Sequence, residues 1–308
     1  MMPRRMSVVP SVIALVIGGL LVTAAPASAE GGHSRSQGVW ITVTGDGSHA
    51  SVSSRDVHPG WLKLSIKDST VPTLGAQLVV VKMKRDYRVS RLVADIAVQT
   101  NQMVKPPAAA ASTRDIDKIA IALGGGDTFG SAGFFRSDTI WLPGHGKYYV
   151  INTSAKNGPT VVGTLEAWGR TVEAGAPDHS GTVSLGNGST DTITLRGHMP
   201  AKGTVRVRNN GDSIHLMNIT KVADTATDTL VQAEYEILKT GGTPTSDPAG
   251  LNNPSAPFTG SDAVSPGHAS LLSYNLPAGT YLIQCFVADK VTGMPHAFMG
   301  MHLIVHLS

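Results

Sequence analysis

The chain has 308 residues, 15% of them charged, with 34 glycines and 18 prolines, a composition that fits a turn-rich β protein. Two of the basic residues behind its formal net charge of +3 are Arg4 and Arg5 of a leader, so the rest is nearly neutral, and no Lys/Arg cluster interleaved with aromatics supports nucleic-acid binding. The single cysteine, Cys285, excludes a disulfide framework within the chain.

Arg4 and Arg5 precede an almost wholly apolar run at residues 8–22, and Ala27-Ser28-Ala29 follows with small residues at the positions a signal peptidase reads. This predicts a signal peptide over residues 1–29, cut before Glu30, and a secreted or cell-envelope protein. The alternative is an uncleaved anchor, but the run is short of the ~20 residues a span needs. No cysteine follows it to carry a lipid, and no later segment is apolar enough to span, so no transmembrane segment is expected in the mature chain.

Residues 30–37 read as a flexible start. Strand-like alternation begins at Val39-Trp40-Ile41-Thr42-Val43 and recurs at Trp61-Leu62-Lys63-Leu64-Ser65-Ile66. Residues 78–83 form a continuous apolar run suited to a buried strand. Val89, Leu92, Val93 and Ile96 switch to helical spacing, and Pro106-Pro107 with the alanines after them are expected to end that helix. Gly124-Gly125-Gly126 reads as a loop. Residues 146–151 and 163–168 read as two further strands.

The second half repeats this order. Gly203-Thr204-Val205-Arg206-Val207 matches Gly60-Trp61-Leu62-Lys63-Leu64, and residues 215–222 match 77–84. A helical stretch with Leu230, Tyr235 and Leu238 follows. Leu276-Pro277-Ala278-Gly279-Thr280-Tyr281 matches Leu142-Pro143-Gly144-His145-Gly146-Lys147-Tyr148 with one extra residue in the first copy, and residues 300–305 match 163–168. A repeat of this length predicts two domains, 38–168 and 181–308. Many short strands with Gly/Pro turns predict an all-β fold, two tandem β-sandwiches each with a short inserted helix. Periodicity alone equally allows immunoglobulin-like domains.

Cys285 can be a buried small hydrophobe, an intermolecular bridge or a metal ligand. It ends the segment Pro277-Ala278-Gly279-Thr280-Tyr281-Leu282-Ile283-Gln284-Cys285 and is followed by Gly293-Met294-Pro295-His296-Ala297-Phe298-Met299-Gly300-Met301. These stretches, with Val207 to His215 upstream, resemble the ligand-bearing elements of cupredoxins, the plastocyanin/azurin family. The resemblance covers about residues 181–308 and, through the repeat, more weakly 38–168. It implies Greek-key sandwiches and, in the second, one type 1 copper. His215 and His296 would be the imidazole ligands, Cys285 the thiolate and Met301 the axial thioether, with Met299 as a fallback. The donor set suits copper: a soft thiolate serves both oxidation states, two imidazoles complete a trigonal plane and a weak thioether tunes the potential. Ten residues separate Cys285 from His296, more than in most of the family, and Asp289, Lys290, Thr292 and Gly293 suggest a solvent-exposed turn there.

Taken singly, each of these residues has a plainer reading: a hydrogen-bonded strand histidine, a buried thiol, two core methionines. The first copy acts as an internal control, because His215, Cys285, His296 and Met301 align there with Gln77, Asn152, about Pro159 and Thr164, so that domain is expected to lack metal. His302 and His306 are placed on a solvated strand face. No His-x-His pair, G-x-S-x-G, H-E-x-x-H or P-loop pattern occurs, so no enzymatic activity is expected. The expected function is copper binding and one-electron transfer with an unknown redox or cell-envelope partner. The alternative is a metal-free secreted binding or structural module.

Overall fold

The structure is a computed structural model that describes residues 37–70, 75–101, 104–129, 135–172, 175–253 and 255–308. The expected leader at residues 1–29 lies outside these. The first half contains β1 (Gln37–Gly45), β2 (His49–Val52), β3 (Asp56–Val57), β4 (Gly60–Thr70), β5 (Gln77–Met83), α1 (Val89–Thr100), α2 (Pro106–Ile119), β6 (Ala120–Asp127), β7 (Phe135–Leu142), β8 (Gly146–Asn152) and β9 (Thr160–Ala167). The second contains β10 (Gly181–Gly188), β11 (Thr190–Gly197), β12 (Lys202–Gly211), β13 (His215–Lys221), α3 (Asp228–Lys239), β14 (Phe258–Val264), β15 (Ala269–Asn275), β16 (Gly279–Gln284) and β17 (His302–Leu307).

The strands form two sheets, in the orders β11-β10-β12-β15-β7-β4-β1-β2 and β17-β16-β13-β14-β6-β5-β8-β9-β3. Pairings recur between the halves. β1 runs parallel to β4 as β10 does to β12, and β5 pairs antiparallel with β8 as β13 does with β16. The Tyr148 hydroxyl donates to the Gly144 carbonyl and that of Tyr281 to Pro277, so the aligned turns close in the same way.

The two halves are joined along their strands. β14 pairs with β6 and β15 with β7, both antiparallel, so both sheets run through the molecule. Joining equivalent strands removes four exposed edges that would otherwise invite pairing with other chains. A buried polar network fastens the join. Arg136 of β7 lies 3.3 Å from Asp138 and donates to the Thr259 hydroxyl on β14, while Asp138 accepts from Ser273 N on β15 at 3.0 Å. One apolar core fills the first sandwich around Ile41, Leu64, Leu78 and Tyr148, and another runs from Val79 and Leu92 of the first half to Cys285 and Met301 of the second.

Two expected elements differ. Pro106-Pro107 begins a second helix, α2, instead of ending the first. Proline is favoured at the first helical turn, where its missing N–H has no partner to lose. The three glycines lie inside β6 and not in a loop. A Cβ at Gly126 would fall on the Asp138 carboxylate of β7, one at Gly125 on the Leu78 carbonyl of β5 and one at Gly124 on Ser270 of β15, so close approach from three strands requires small residues there. The second-half helix agrees with its periodicity, capped by Thr227, whose side chain accepts from Leu230 N at 3.2 Å. Among the described residues no helix is long and apolar enough to cross a membrane.

Candidate metal centre

His215 opens β13 and is fully buried. The turn before it is fixed from two sides. Asn209 Nδ2 donates to the carbonyls of Ser213 and Val264 at 2.7 Å each. Asp117, from α2 of the first half, accepts from the Ser213 hydroxyl at 2.7 Å and from Ile214 N at 3.0 Å. Cys285 follows the last residue of β16 and is also fully buried.

The long segment from Cys285 to His296 folds back through its own backbone. Asp289 N bonds the Met294 carbonyl, His296 N the Val287 carbonyl and Ala297 N the Cys285 carbonyl, at 2.8, 3.0 and 2.7 Å. The Asp289 carboxylate caps the tip by accepting from Val291 N and from Thr292 N and Oγ1. A short 3-10 turn, His296–Met299, then leads to Met301, whose backbone bonds His296 and Cys285.

Val291 and Thr292 at the tip of this segment are exposed, as its composition suggests, but the residues on either side are held against helices. The Thr113 hydroxyl of α2 donates to the Ala288 carbonyl at 2.7 Å, Gln99 of α1 accepts from Ala288 N at 3.1 Å, and Arg114 donates to the Lys290 carbonyl. On its other side Phe286 and Phe298 pack with Tyr235 of α3, at centroid distances of 6.4 and 5.1 Å, and the Tyr235 hydroxyl donates to Gln284, next to Cys285. The ligand loop is thus held between the helical hairpin of the first half and the helix of the second.

The loop brings three of the expected donors together. Cys285 Sγ lies 3.8 Å from His215 Nδ1 and 3.6 Å from His296 Nδ1, and the imidazole centroids are 4.7 Å apart. One metal-ligating atom from each of the three residues falls within 4.8 Å of the others. A metal holding nitrogen at about 2.0–2.1 Å and thiolate sulfur at about 2.3 Å sets the N–S edge at about 3.5–3.8 Å for angles between tetrahedral and trigonal. The observed edges fit. Met301, fully buried, lies in the same core. Met299 does not: it is largely exposed, and its sulfur accepts from the Thr292 hydroxyl at 3.5 Å.

Burial dominates the electrostatics. It pushes the Cys285 thiol up to about 12 and His215 down to about 3. Burial also lowers His296, against an upward pull from Asp191, Asp289 and Asp212. Near neutral pH the pocket therefore presents a thiol and two uncharged imidazoles, and a cation must displace the thiol proton to bind.

Sequence reasoning missed Asp191, the second residue of β11. Its two carboxylate oxygens lie 3.6 Å from His215 Nε2 and 3.5 Å from His296 Nε2. Burial raises its pKa, and attraction to His296 when that ring is protonated opposes the rise. Nothing in the sequence ties Asp191 to His215 or His296; only the β10–β11 hairpin, bent by a bulge between Leu185 and Asn187, brings it over the pocket. His302 is also misplaced by the alternation rule. Its side chain is buried under α3, with Nδ1 3.1 Å from Asp228 and Nε2 3.0 Å from Gln232.

The clusters of His, Cys, Asp and Glu able to hold a metal among the described residues are His215-Cys285-His296 and Asp191-Asp289-His296, both in the second half. At the aligned positions of the first half, Asn152 donates to the Gly47 carbonyl and accepts from Gln77 N, a purely structural staple.

The fold is cupredoxin-like. Two layered sheets, a thiol at the end of one strand, an imidazole opening its neighbour and a loop returning with the second imidazole and a methionine make up that architecture. No family model and no curated protein matches the chain. Among solved structures it is similar to a dithionite-reduced auracyanin from Roseiflexus castenholzii, at 16% identity and a TM-score of 0.26, over 41% of this chain and 94% of that one. It is similar to auracyanin A, titled a "blue" copper protein, from Chloroflexus aurantiacus, at 16% identity and a TM-score of 0.23, over 42% and 100%. A multi-copper oxidase from Pediococcus acidilactici matches at 10% identity and a TM-score of 0.23, over 89% of this chain and 59% of that one.

Proposed function

We propose that this protein is an exported, non-enzymatic electron carrier that binds one copper ion of the type 1 kind through His215, Cys285 and His296, with Met301 as the axial thioether. The observation that carries this reading is the convergence of Sγ and two Nδ1 atoms, 3.6 and 3.8 Å apart, in a fully buried pocket. The setting of His215 supports it further: Asp191 Oδ1 faces its Nε2 at 3.6 Å, and the outer nitrogen of a ligating imidazole is commonly met by a carboxylate. Copper bound there supplies a one-electron Cu(II)/Cu(I) couple.

The chain's own residues do the rest. Cys285 gives up its proton on loading. The loop, clamped by Thr113 and Gln99 on one side and Tyr235 on the other, keeps the donors in place in both oxidation states. The apolar core around Val287 and Met301 keeps water out. Export rests on the leader, and the carrier's redox partner belongs to the cell envelope or the medium.

Adding one equivalent of Cu(II) to the metal-free protein should produce intense visible absorption from thiolate-to-copper charge transfer. Cys285→Ser should abolish it, and Met301→Leu should keep the colour and shift the potential. A wild-type protein that stays colourless and shows no tight copper uptake by calorimetry would instead favour a metal-free binding or structural module.

A further inference from the structure

Asp191 makes a contact that the ligand set alone does not require. One carboxylate faces the outer nitrogen of both candidate imidazoles, Oδ1 at 3.6 Å from His215 Nε2 and Oδ2 at 3.5 Å from His296 Nε2. These distances exceed hydrogen-bond length, and His215 Nε2 has no other partner although it is buried. The β10–β11 hairpin brings the carboxylate there. Gly186, at φ +71°, and Gly211 pass so close to His215 that a Cβ on Gly211 would come within 2.7 Å of Nε2. That side of the ring is therefore walled by backbone, and Asp191 is the side chain that can take an Nε2–H.

A carboxylate only accepts, and it has sites for two donors. Facing two imidazoles, it favours the Nε2–H tautomer of each, which leaves both Nδ1 lone pairs directed at Cys285 Sγ. A ligating histidine whose other N–H meets a carboxylate is fixed in orientation and made more basic. The charges also balance. A Cu(II) ion, one thiolate and two neutral imidazoles carry one net positive charge, and Asp191 neutralises it; the same carboxylate beside Cu(I) leaves a net negative charge. The other charged groups facing His296 and Asp191 are Asp212, Asp289 and Lys290, of which Lys290 pairs with Asp212 at 2.9 Å and Asp289 is engaged by Val291 and Thr292.

We infer that Asp191 is a positioning residue for both ligand histidines: a single carboxylate that selects their Nε2–H tautomers, closes over each when metal binds and biases the centre toward Cu(II). This rests on the copper reading for its redox part, whereas its tautomer part holds without metal.

Two measurements separate these. In metal-free protein labelled with 15N-histidine, long-range 1H–15N correlation at pH 7.5 should show His215 and His296 as Nε2–H tautomers, and Asp191→Ala should shift at least one toward Nδ1–H. Either ring found as Nδ1–H in the wild type, or no change in the variant, overturns the inference whether or not copper binds. In copper-loaded protein, Asp191→Asn should keep the charge-transfer band and raise the preference for Cu(I) at least tenfold, a potential shift of about 59 mV. Asp191→Glu should restore part of it. A coloured wild type whose potential is unmoved by Asp191→Asn refutes the charge-balancing role. A colourless wild type refutes the copper reading, and the tautomer result then decides the positioning role by itself.

Discussion

The clamp on the ligand loop can be tested at one atom. Gly293 sits at φ +73°, and a Cβ there would fall on the Pro106 carbonyl oxygen at the start of α2. Gly293→Ala should therefore act twice. Alanine in the left-handed region costs roughly 1–2 kcal/mol. Moving the loop off α2 to relieve the overlap loosens the bonds from Thr113 and Arg114 and to Gln99, at about 0.5–1.5 kcal/mol each. The sum is about 2.5–6.5 kcal/mol. Gly158 is the matched control: its φ is +97°, yet a Cβ there meets nothing within 4 Å, so Gly158→Ala should cost only the backbone term. Urea unfolding of the full chain should rank Gly293→Ala below Gly158→Ala by more than about 1 kcal/mol, and only the former should release copper faster to a chelator. Equal losses in the two variants, with equal copper retention, would show that the loop does not lean on the helical hairpin.

The join between the halves yields two more predictions. Arg136→Met should leave Asp138 buried without its cation and cost about 3–5 kcal/mol in urea unfolding; a loss under 1 kcal/mol would refute the network's role. Burial raises the Asp127 pKa to about 8 from its ordinary 3.8, against the opposing pull of Arg136. The folded state then holds a proton that the unfolded state has released, so this contribution to stability is full below about pH 4 and is lost as pH rises through about 8. Between pH 7 and 8 the wild type should lose stability, and Asp127→Asn should flatten that slope. An unchanged slope would mean that Asp127 is not the group responsible.

Much of this was legible in the sequence, for physical reasons that also mark its limits. The alternation of Leu62, Leu64 and Ile66 reports a one-sided strand whatever the tertiary context, and the turn of Pro277 to Tyr281 repeats one in the first half because the same tyrosine closes both. His215, Cys285 and His296 were grouped in the sequence only by their resemblance to a known ligand pattern, since each taken alone has a plainer reading. What failed depended on distant partners. Gly124 to Gly126 looked like a loop because the Asp138 carboxylate that takes the place of a Cβ is on another strand. The backbone around Ala288 and Lys290 looked exposed because its partners lie on helices that begin almost two hundred positions earlier. Asp191 carried no signal, since an aspartate near a hairpin turn is ordinary until the hairpin is placed over two imidazoles.

Whether Cys285 and the two histidines hold one metal together is read directly by X-ray absorption at the copper edge of full-length protein loaded with one equivalent. One short copper–sulfur shell and two imidazole shells are expected, with the sulfur shell lost in Cys285→Ser. A copper ion surrounded only by oxygen and nitrogen, with a spectrum indifferent to Cys285, would contradict it.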